Sequence, residues 1–211
     1  MRYQCIIFDC DGVLVDSETI SNQVVVDLAN QHNANITLEY AIKHFAGTSL
    51  SFVKEHIEGI IQEELSDDFE KDYRRLSFEK FQTDLQPIKG IPELLNRLTV
   101  PFCVASNGPL NKMELNLKLI GVLDHFKGNM FSAYEIEKWK PDPSLFLHAA
   151  KTMGFLPSEC IVIEDSLSGV KAAKAGNFDV LAYTNEYKKE IFEKEGVPTF
   201  SSMDELPELL K

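Results

Sequence analysis

Cysteine is scarce in this chain and is not spaced for a metal or a disulfide framework. Cys5, Cys10, Cys103 and Cys160 form no C-x-x-C pair, and three of them fall in or beside apolar, strand-like runs, as reduced core thiols do. The five histidines show no metal spacing. Neither a G-x-x-x-x-G-K-[ST] nor a G-x-G-x-x-G run occurs, so nucleotide and dinucleotide binding lack their phosphate loops. No basic run is long enough for a nucleic-acid patch. Instead, 33 acidic residues against 21 basic ones give a formal charge of −12, a field that repels nucleic acid and anionic membranes. No apolar stretch approaches the length of a membrane span. The apolar run before Asp9 is too short for a secretory leader, and with reduced cysteines the expected setting is the cytoplasm. Internal repeats and low-complexity tracts are absent as well. What remains, 211 residues at 44% hydrophobic and 26% charged, suits one large domain or a domain with a sizeable insertion.

Within that ordinary composition stands Asp9-Cys10-Asp11-Gly12, directly after the apolar run Cys5-Ile6-Ile7-Phe8. Two carboxylates one residue apart at the end of a buried strand repel each other, and a low-dielectric edge strengthens the repulsion. Water or a cation must relieve such a pair, and Mg²⁺ is the expected cation. A solvated loop is the plain reading of two aspartates in an acidic chain; the buried strand before them and their partners elsewhere argue against it. Cys10 invites a cysteine-phosphatase reading, but that chemistry needs an arginine six residues on, where Asp16 stands. Cys10 is read as packing.

Tyr3 to Phe8 reads as a central parallel strand. Val13-Leu14-Val15 reads as a short extended piece ahead of a helix capped by Asp16 or Ser17 and running from Thr19 to about Gln31. From about Thr37 to Phe81 only helices are expected: Leu38 to Phe45, Leu50 to about Leu65, and Phe69 to Phe81, broken at Gly47 and around 66–68. Pro87 and Gly90 mark the return to alternation. Then come a helix from Ile91 to Leu98 with Pro92 in its first turn, a strand at Phe102 to Ala105 and a helix from Leu110 to Ile120. A short strand from Met130 to Ala133 precedes a helix from Pro143 to Met153 capped by Asp142. A strand at Cys160 to Ile163 leads to a helix from Ser166 to Ala175, closed by Gly176 in the left-handed position. Val180 to Tyr183 is the last clear strand, and helices finish the chain. The pattern is α/β: a Rossmann-like doubly wound parallel-sheet core domain over 1–15 and 87–211, with an all-helical cap domain inserted over 16–86. Ligands bind such sheets at the carboxyl ends of the strands. Asp9 and Asp11, Ser106 and Asn107, and Glu164 and Asp165 all fall there, with Lys140 ahead of a helix on the same edge. Trp139, Tyr134 and Phe45 are read as core aromatics.

These groups suit phosphoryl transfer. A phosphate monoester and a carboxylate nucleophile are both anions, so attack needs positive charge at the site. Mg²⁺ takes oxygen ligands and keeps waters. Asp9, Asp165 and the Asp11 backbone carbonyl can supply three oxygens, with Glu164 ordering a metal-bound water. Lys140 would pair with Asp9 and place charge on the phosphoryl oxygens, while Ser106 Oγ and the Asn107 N–H hold the others. Asp9 would attack phosphorus in line to give an aspartyl-phosphate. Asp11 would protonate the leaving oxygen and then take a proton from water. The helical insert would close over the site during the first step.

Four stretches, Asp9-Cys10-Asp11-Gly12, Ser106-Asn107, Lys140-Pro141-Asp142-Pro143 and Glu164-Asp165-Ser166-Leu167-Ser168-Gly169, resemble in order the four motifs of the haloacid dehalogenase-like hydrolase superfamily. The helical insert resembles that superfamily's C1 cap, of the β-phosphoglucomutase-like kind, and the resemblance covers essentially the whole chain. Asp11 sets the chain apart from the dehalogenases, which lack the second aspartate. Ser21 stands where the mutases carry a histidine. Ala46 and Leu50 flank Gly47 where the mutases carry cations for a second phosphate, with Lys43 and His44 nearby. The runs from Ser106 to Met113 and from Trp139 to Pro143 look most like those of bacterial sugar-phosphate phosphatases active on 6-phosphogluconate. The resemblance implies a Mg²⁺-dependent phosphatase of small phosphorylated metabolites, above all sugar phosphates. A phosphomutase is the runner-up, and a non-catalytic metabolite- or partner-binding relative is the reading from another class. Substrate selection is expected at Phe45, Ala46, Gly47 and Thr48 of the cap. The expected partner is the small-molecule substrate, with no nucleic acid and no membrane, on a monomer or weak dimer.

Overall fold

The first strand, β1 (Cys5–Phe8), is buried along its whole length, as a continuous apolar run at the centre of a parallel sheet must be. The computed structural model describes residues 2–45, 48, 50–66, 68–184 and 189–211. After β1 the chain does not stay extended as expected at Val13-Leu14-Val15. Gly12 adopts φ +83° and its N–H donates to the Val15 carbonyl at 2.9 Å, making a tight turn. Only glycine tolerates that φ cheaply, and here a Cβ would also lie 2.2 Å from Asp165 Oδ2.

Asp16 then caps α1 (Ser17–Gln31), its Oδ1 accepting from the Thr19 N–H at 3.1 Å and satisfying a donor the helix cannot. Three more helices follow: α2 (Leu38–Phe45), α3 (Leu50–Ile61) and α4 (Asp68–Asp84). The third ends before the expected Leu65 because Gln62 turns to φ +59° and Glu58 Oε1 takes the Leu65 N–H at 2.9 Å. These four helices form one unit, Asp16–Leu85. Its core holds Val24, Leu28, Ala41, Phe45, Val53 and Ile57, and a Lys80–Asp27 ion pair at 2.8 Å ties α4 to α1.

The other unit comprises Met1–Val15 and Gln86–Lys211, so Gln86 stands on the sheet side of the boundary. Its elements continue as α5 (Ile91–Arg97), β2 (Phe102–Ser106), α6 (Leu110–Leu119), α7 (Leu123–Phe126), β3 (Met130–Ser132), α8 (Ala133–Ile136) and α9 (Ser144–Met153). After them come β4 (Cys160–Glu164), α10 (Leu167–Ala175), β5 (Asp179–Tyr183), α11 (Lys189–Lys194), β6 (Thr199–Phe200) and α12 (Leu206–Leu209). Among the described residues the strands make one parallel sheet in the order β3-β2-β1-β4-β5-β6. This is the expected Rossmann-like doubly wound fold. The order reverses at β1, which pairs with β2 on one side and β4 on the other, and such a reversal opens a crevice at the strand carboxyl ends. Cys5, Ile7, Cys103 and Val162 of one sheet face pack against Phe146 and Ala149 of α9 and Val170 of α10. All four cysteines are free and buried. Among the described residues no helix is long and apolar enough to cross a membrane.

Several local expectations need correction. α7, α8 and the closing strand β6 were not anticipated. Asp142 does bind the start of α9, accepting from the Ser144 N–H at 2.8 Å, but Pro143 occupies the cap position itself. Gly176 has φ −86°, not a left-handed value; Asn177 takes that role at +59°. Gly176 is instead required by space, since a Cβ there would lie 2.7 Å from the Phe178 ring. Phe45 is buried as expected, whereas Tyr134 and Trp139 are 56% and 43% exposed and meet edge to face at 5.5 Å. The neighbouring Lys140, not Trp139, takes the inward place.

Candidate active site

The residue after β1 is Asp9, anchored by its N–H donating to the Ile163 carbonyl of β4 at 2.9 Å. Its carboxylate meets a buried cation. Lys140 Nζ donates to Asp9 Oδ1 at 2.5 Å, to Glu164 Oε1 at 2.6 Å and to the Ala105 carbonyl at 3.0 Å, which uses all three ammonium hydrogens. The Lys140 side chain is only 2% exposed. Asn107 sets its backbone, the Asn107 Oδ1 accepting from the Lys140 N–H at 2.9 Å. Burial pushes the Asp9 carboxyl up to about 7, against the pull of Lys140. Burial alone would lower Lys140, but Asp9 and Glu164 on either side hold its ammonium above the usual value.

Glu164, the last residue of β4, is fully buried. While Oε1 takes Lys140, Oε2 accepts from the Asp165 N–H at 3.0 Å, the Ser166 N–H at 2.9 Å and the Ser166 hydroxyl at 2.8 Å. Ser166 Oγ in turn accepts from the Gly169 N–H and caps α10. Gly169 makes room for that carboxylate, because a Cβ would fall 1.8 Å from Glu164 Oε1. Asp9, Glu164 and Asp165 each offer a carboxylate oxygen within 4.8 Å of the others. Both Glu164 oxygens are engaged by protein donors. A donor set of carboxylate oxygens, without sulfur or imidazole, fits a hard divalent cation.

Asp11 lies just beyond. Its Oδ2 accepts from Lys112 Nζ at 3.0 Å, while its Oδ1 is buried without a hydrogen-bond partner. Burial would lower Lys112, but Asp11 beside it holds the ammonium above its usual value. Burial, with Asp11 and Asp9 nearby, keeps the Cys10 thiol well above its ordinary range, which leaves it unreactive. Ser106, at the end of β2, accepts the Gly108 N–H at 3.0 Å, so its own O–H remains a donor. Ser132 Oγ donates to the Gly108 carbonyl at 2.7 Å and steadies the same loop.

The haloacid dehalogenase-like hydrolase family model matches residues 3–177. The chain belongs to the haloacid dehalogenase-like hydrolase family. It is 33% identical to 6-phosphogluconate phosphatase of Escherichia coli over the whole chain and 96% of that protein. Among solved structures, a conserved haloacid dehalogenase-like protein of Agrobacterium tumefaciens shares 30% identity and superposes at TM-score 0.90, covering 99% of this chain and 97% of that one. A family hydrolase of Deinococcus radiodurans, solved with bound phosphate and sodium, shares 25% identity at TM-score 0.87, over 97% of this chain and 93% of that one. The chain is an enzyme, a phosphoric monoester hydrolase.

Of the residues singled out in the sequence of this hydrolase, Asp9, Lys140 and Glu164 meet directly, the Asp165 carboxylate lies within 4.8 Å of those of Asp9 and Glu164, and Asn107 and Ser106 border them. Sequence reasoning paired Lys140 with Asp9 but missed that Glu164 shares it. It also missed Lys112, whose one sequence signal is its place in the first turn after the Ser106-Asn107-Gly108 loop. Phe45 belongs to the core of the helical unit, and Thr48 Oγ1 donates to the Phe45 carbonyl at 2.7 Å. Ala46 and Gly47 lie outside the described residues. Within the helical unit a pocket of roughly 140 Å³ is lined by Ser17, Glu18, Ser21, Asn22, Phe45 and Thr48 among others.

Proposed function

We propose that this hydrolase releases phosphate from small phosphorylated sugars of the 6-phosphogluconate kind, through an aspartyl-phosphate on Asp9. The observation that carries the reading is the buried Lys140 held between Asp9 and Glu164 beside a carboxylate cluster fit for a cation. The likeness to a 6-phosphogluconate phosphatase supports the substrate class, and the phosphate bound by a structural relative supports the chemistry.

In this reading Asp9 attacks phosphorus in line, forming the Oδ–P bond as the ester oxygen departs. Asp11 gives that oxygen a proton, then takes one from the water that cleaves the acyl phosphate. Lys140, fixed by Glu164 and the Ala105 carbonyl, orients Asp9 and sets positive charge beside the phosphoryl oxygens. Ser106 O–H and the Asn107 N–H take the remaining oxygens. Asp9, Asp165 and the Asp11 backbone carbonyl would hold Mg²⁺, with Glu164 fixing the Asp165 backbone behind them. The ion would supply charge neutralisation between nucleophile and phosphate. The helical unit, Asp16–Leu85, would serve as the cap.

A phosphomutase needs a grip on a second phosphate. Ser21 stands where the mutases carry a histidine, and Ala46 and Leu50 stand where they carry cations, which favours hydrolysis. A non-catalytic binding protein would have no use for the Lys140 arrangement. The test is phosphate release from a panel of sugar phosphates, sugar bisphosphates and sugar-acid phosphates, with chelator and with added Mg²⁺. Turnover is expected on monophosphates, abolished by chelator and restored by Mg²⁺. Indifference to chelator would refute the metal, and turnover only with a bisphosphate activator would make the protein a mutase.

A further inference from the structure

Asp11 presents its two oxygens differently. Lys112 Nζ holds Oδ2 at 3.0 Å, whereas Oδ1 is buried and has no partner. A buried acceptor without a partner costs roughly 1–3 kcal/mol, and such an atom marks the place where a further group is received. Lys112 comes from the first turn of α6, directly after the loop of Ser106 to Gly108, and a Cβ on Gly108 would lie 3.8 Å from Lys112 Cδ. The lysine therefore spans from the β2 loop to the β1 loop, 101 residues away in sequence. Its side chain is 41% exposed and that of Asp11 31%.

We propose that Lys112 is a positioning residue which fixes the Asp11 carboxyl through Oδ2, so that Oδ1 is the atom that passes the proton. This rests on the role given to Asp11 above. In the first half-reaction the Asp9 Oδ–P bond forms, the P–O ester bond breaks, and the proton on Asp11 Oδ1 moves to the departing alkoxide. In the second, a water oxygen bonds phosphorus, the Oδ–P bond breaks, and a proton of that water returns to Oδ1. Lys112 donates to Oδ2 throughout, so the carboxyl keeps one rotamer in both halves. Without it, Asp11 is free to rotate and presents either oxygen.

The test compares kcat/KM for an alkyl ester, the best sugar phosphate of the panel, with that for p-nitrophenyl phosphate, whose leaving group departs without a proton. The parameter reports the first half-reaction only. In K112M the alkyl ester should lose about 10- to 100-fold, a fraction of what general acid catalysis supplies. The aryl ester should lose at least tenfold less. K112R, which can still donate to Oδ2, should recover most of the loss, and K112M should add little to Asp11→Asn. Equal losses on both esters, or full additivity with Asp11→Asn, would overturn the proposal. If Asp11→Asn itself shows no difference between the esters, the acid–base reading of Asp11 fails and the proposal falls with it. Unchanged thermal unfolding of K112M guards against a folding defect, and recovery in K112R does so independently.

Discussion

Replacing Lys140 with methionine keeps the stem and removes only the ammonium. Three acceptors then lose their shared donor: Asp9 Oδ1 at 2.5 Å, Glu164 Oε1 at 2.6 Å and the Ala105 carbonyl at 3.0 Å. The two carboxylates are 11% and 1% exposed, so water cannot replace what is lost. Removing one partner of a buried ion pair costs about 3–5 kcal/mol. At ~2–4 °C per kcal/mol for a chain of this size, the unfolding temperature of K140M should fall by about 6 to 20 °C in chelator. The assay is thermal unfolding followed by tryptophan fluorescence. Trp139 is the one tryptophan of the chain and belongs to the α/β unit, so the signal reports the unit that carries the change. The deficit should widen with pH, because the orphaned carboxylates escape the penalty only by binding protons. Adding Glu164→Gln should recover part of it, a coupling that independent sites would not show. A K140M protein melting within a degree of the wild type would refute the reasoning, since the lysine would then not be compensating buried charge.

Other predictions follow from the same cluster. Gly169→Ala sets a Cβ 1.8 Å from Glu164 Oε1; the displaced carboxylate should cost about 1–3 kcal/mol in urea unfolding, as overpacking does, and phosphatase activity should fall with it. Burial raises Asp9 from an unfolded value near 3.8 up to about 7, so the folded protein binds that proton more tightly. The Asp9 contribution to stability is fully present below about pH 4 and is lost as pH rises through about 7. In chelator, Asp9→Asn should flatten that part of the pH–stability curve, and in the wild type added Mg²⁺ should flatten it too by favouring the carboxylate.

The sheet was legible because strands buried on both faces read as unbroken apolar runs, and Cys5–Phe8, Phe102–Ser106 and Cys160–Glu164 do so. The polar residues that end them were legible for the same reason, since each interrupts such a run. α7 and α8 have four residues each and β6 has two, too few for a period to register. Gly176 misled because a glycine after a helix has two physical uses, positive φ and missing volume. Here the second applies, set by the Phe178 ring. Exposed Tyr134 and Trp139 read as core because composition does not say which of two adjacent residues faces inward, and Lys140 took that side. The Lys112–Asp11 and Lys140–Glu164 contacts could not be read at all. They depend on how β1, β2 and β4 lie side by side, a tertiary fact with no local signature.

Asp9 taking the phosphoryl group is the central step of the proposed chemistry. Turnover of the best sugar phosphate, quenched in acid and followed by peptide mass spectrometry, tests this directly. One phosphoryl group should be found on Asp9, with none in Asp9→Asn, and trapping should increase in Asp11→Asn variants when an aryl ester is supplied. A phosphoryl group on any other residue, or turnover persisting in Asp9→Asn, would contradict it.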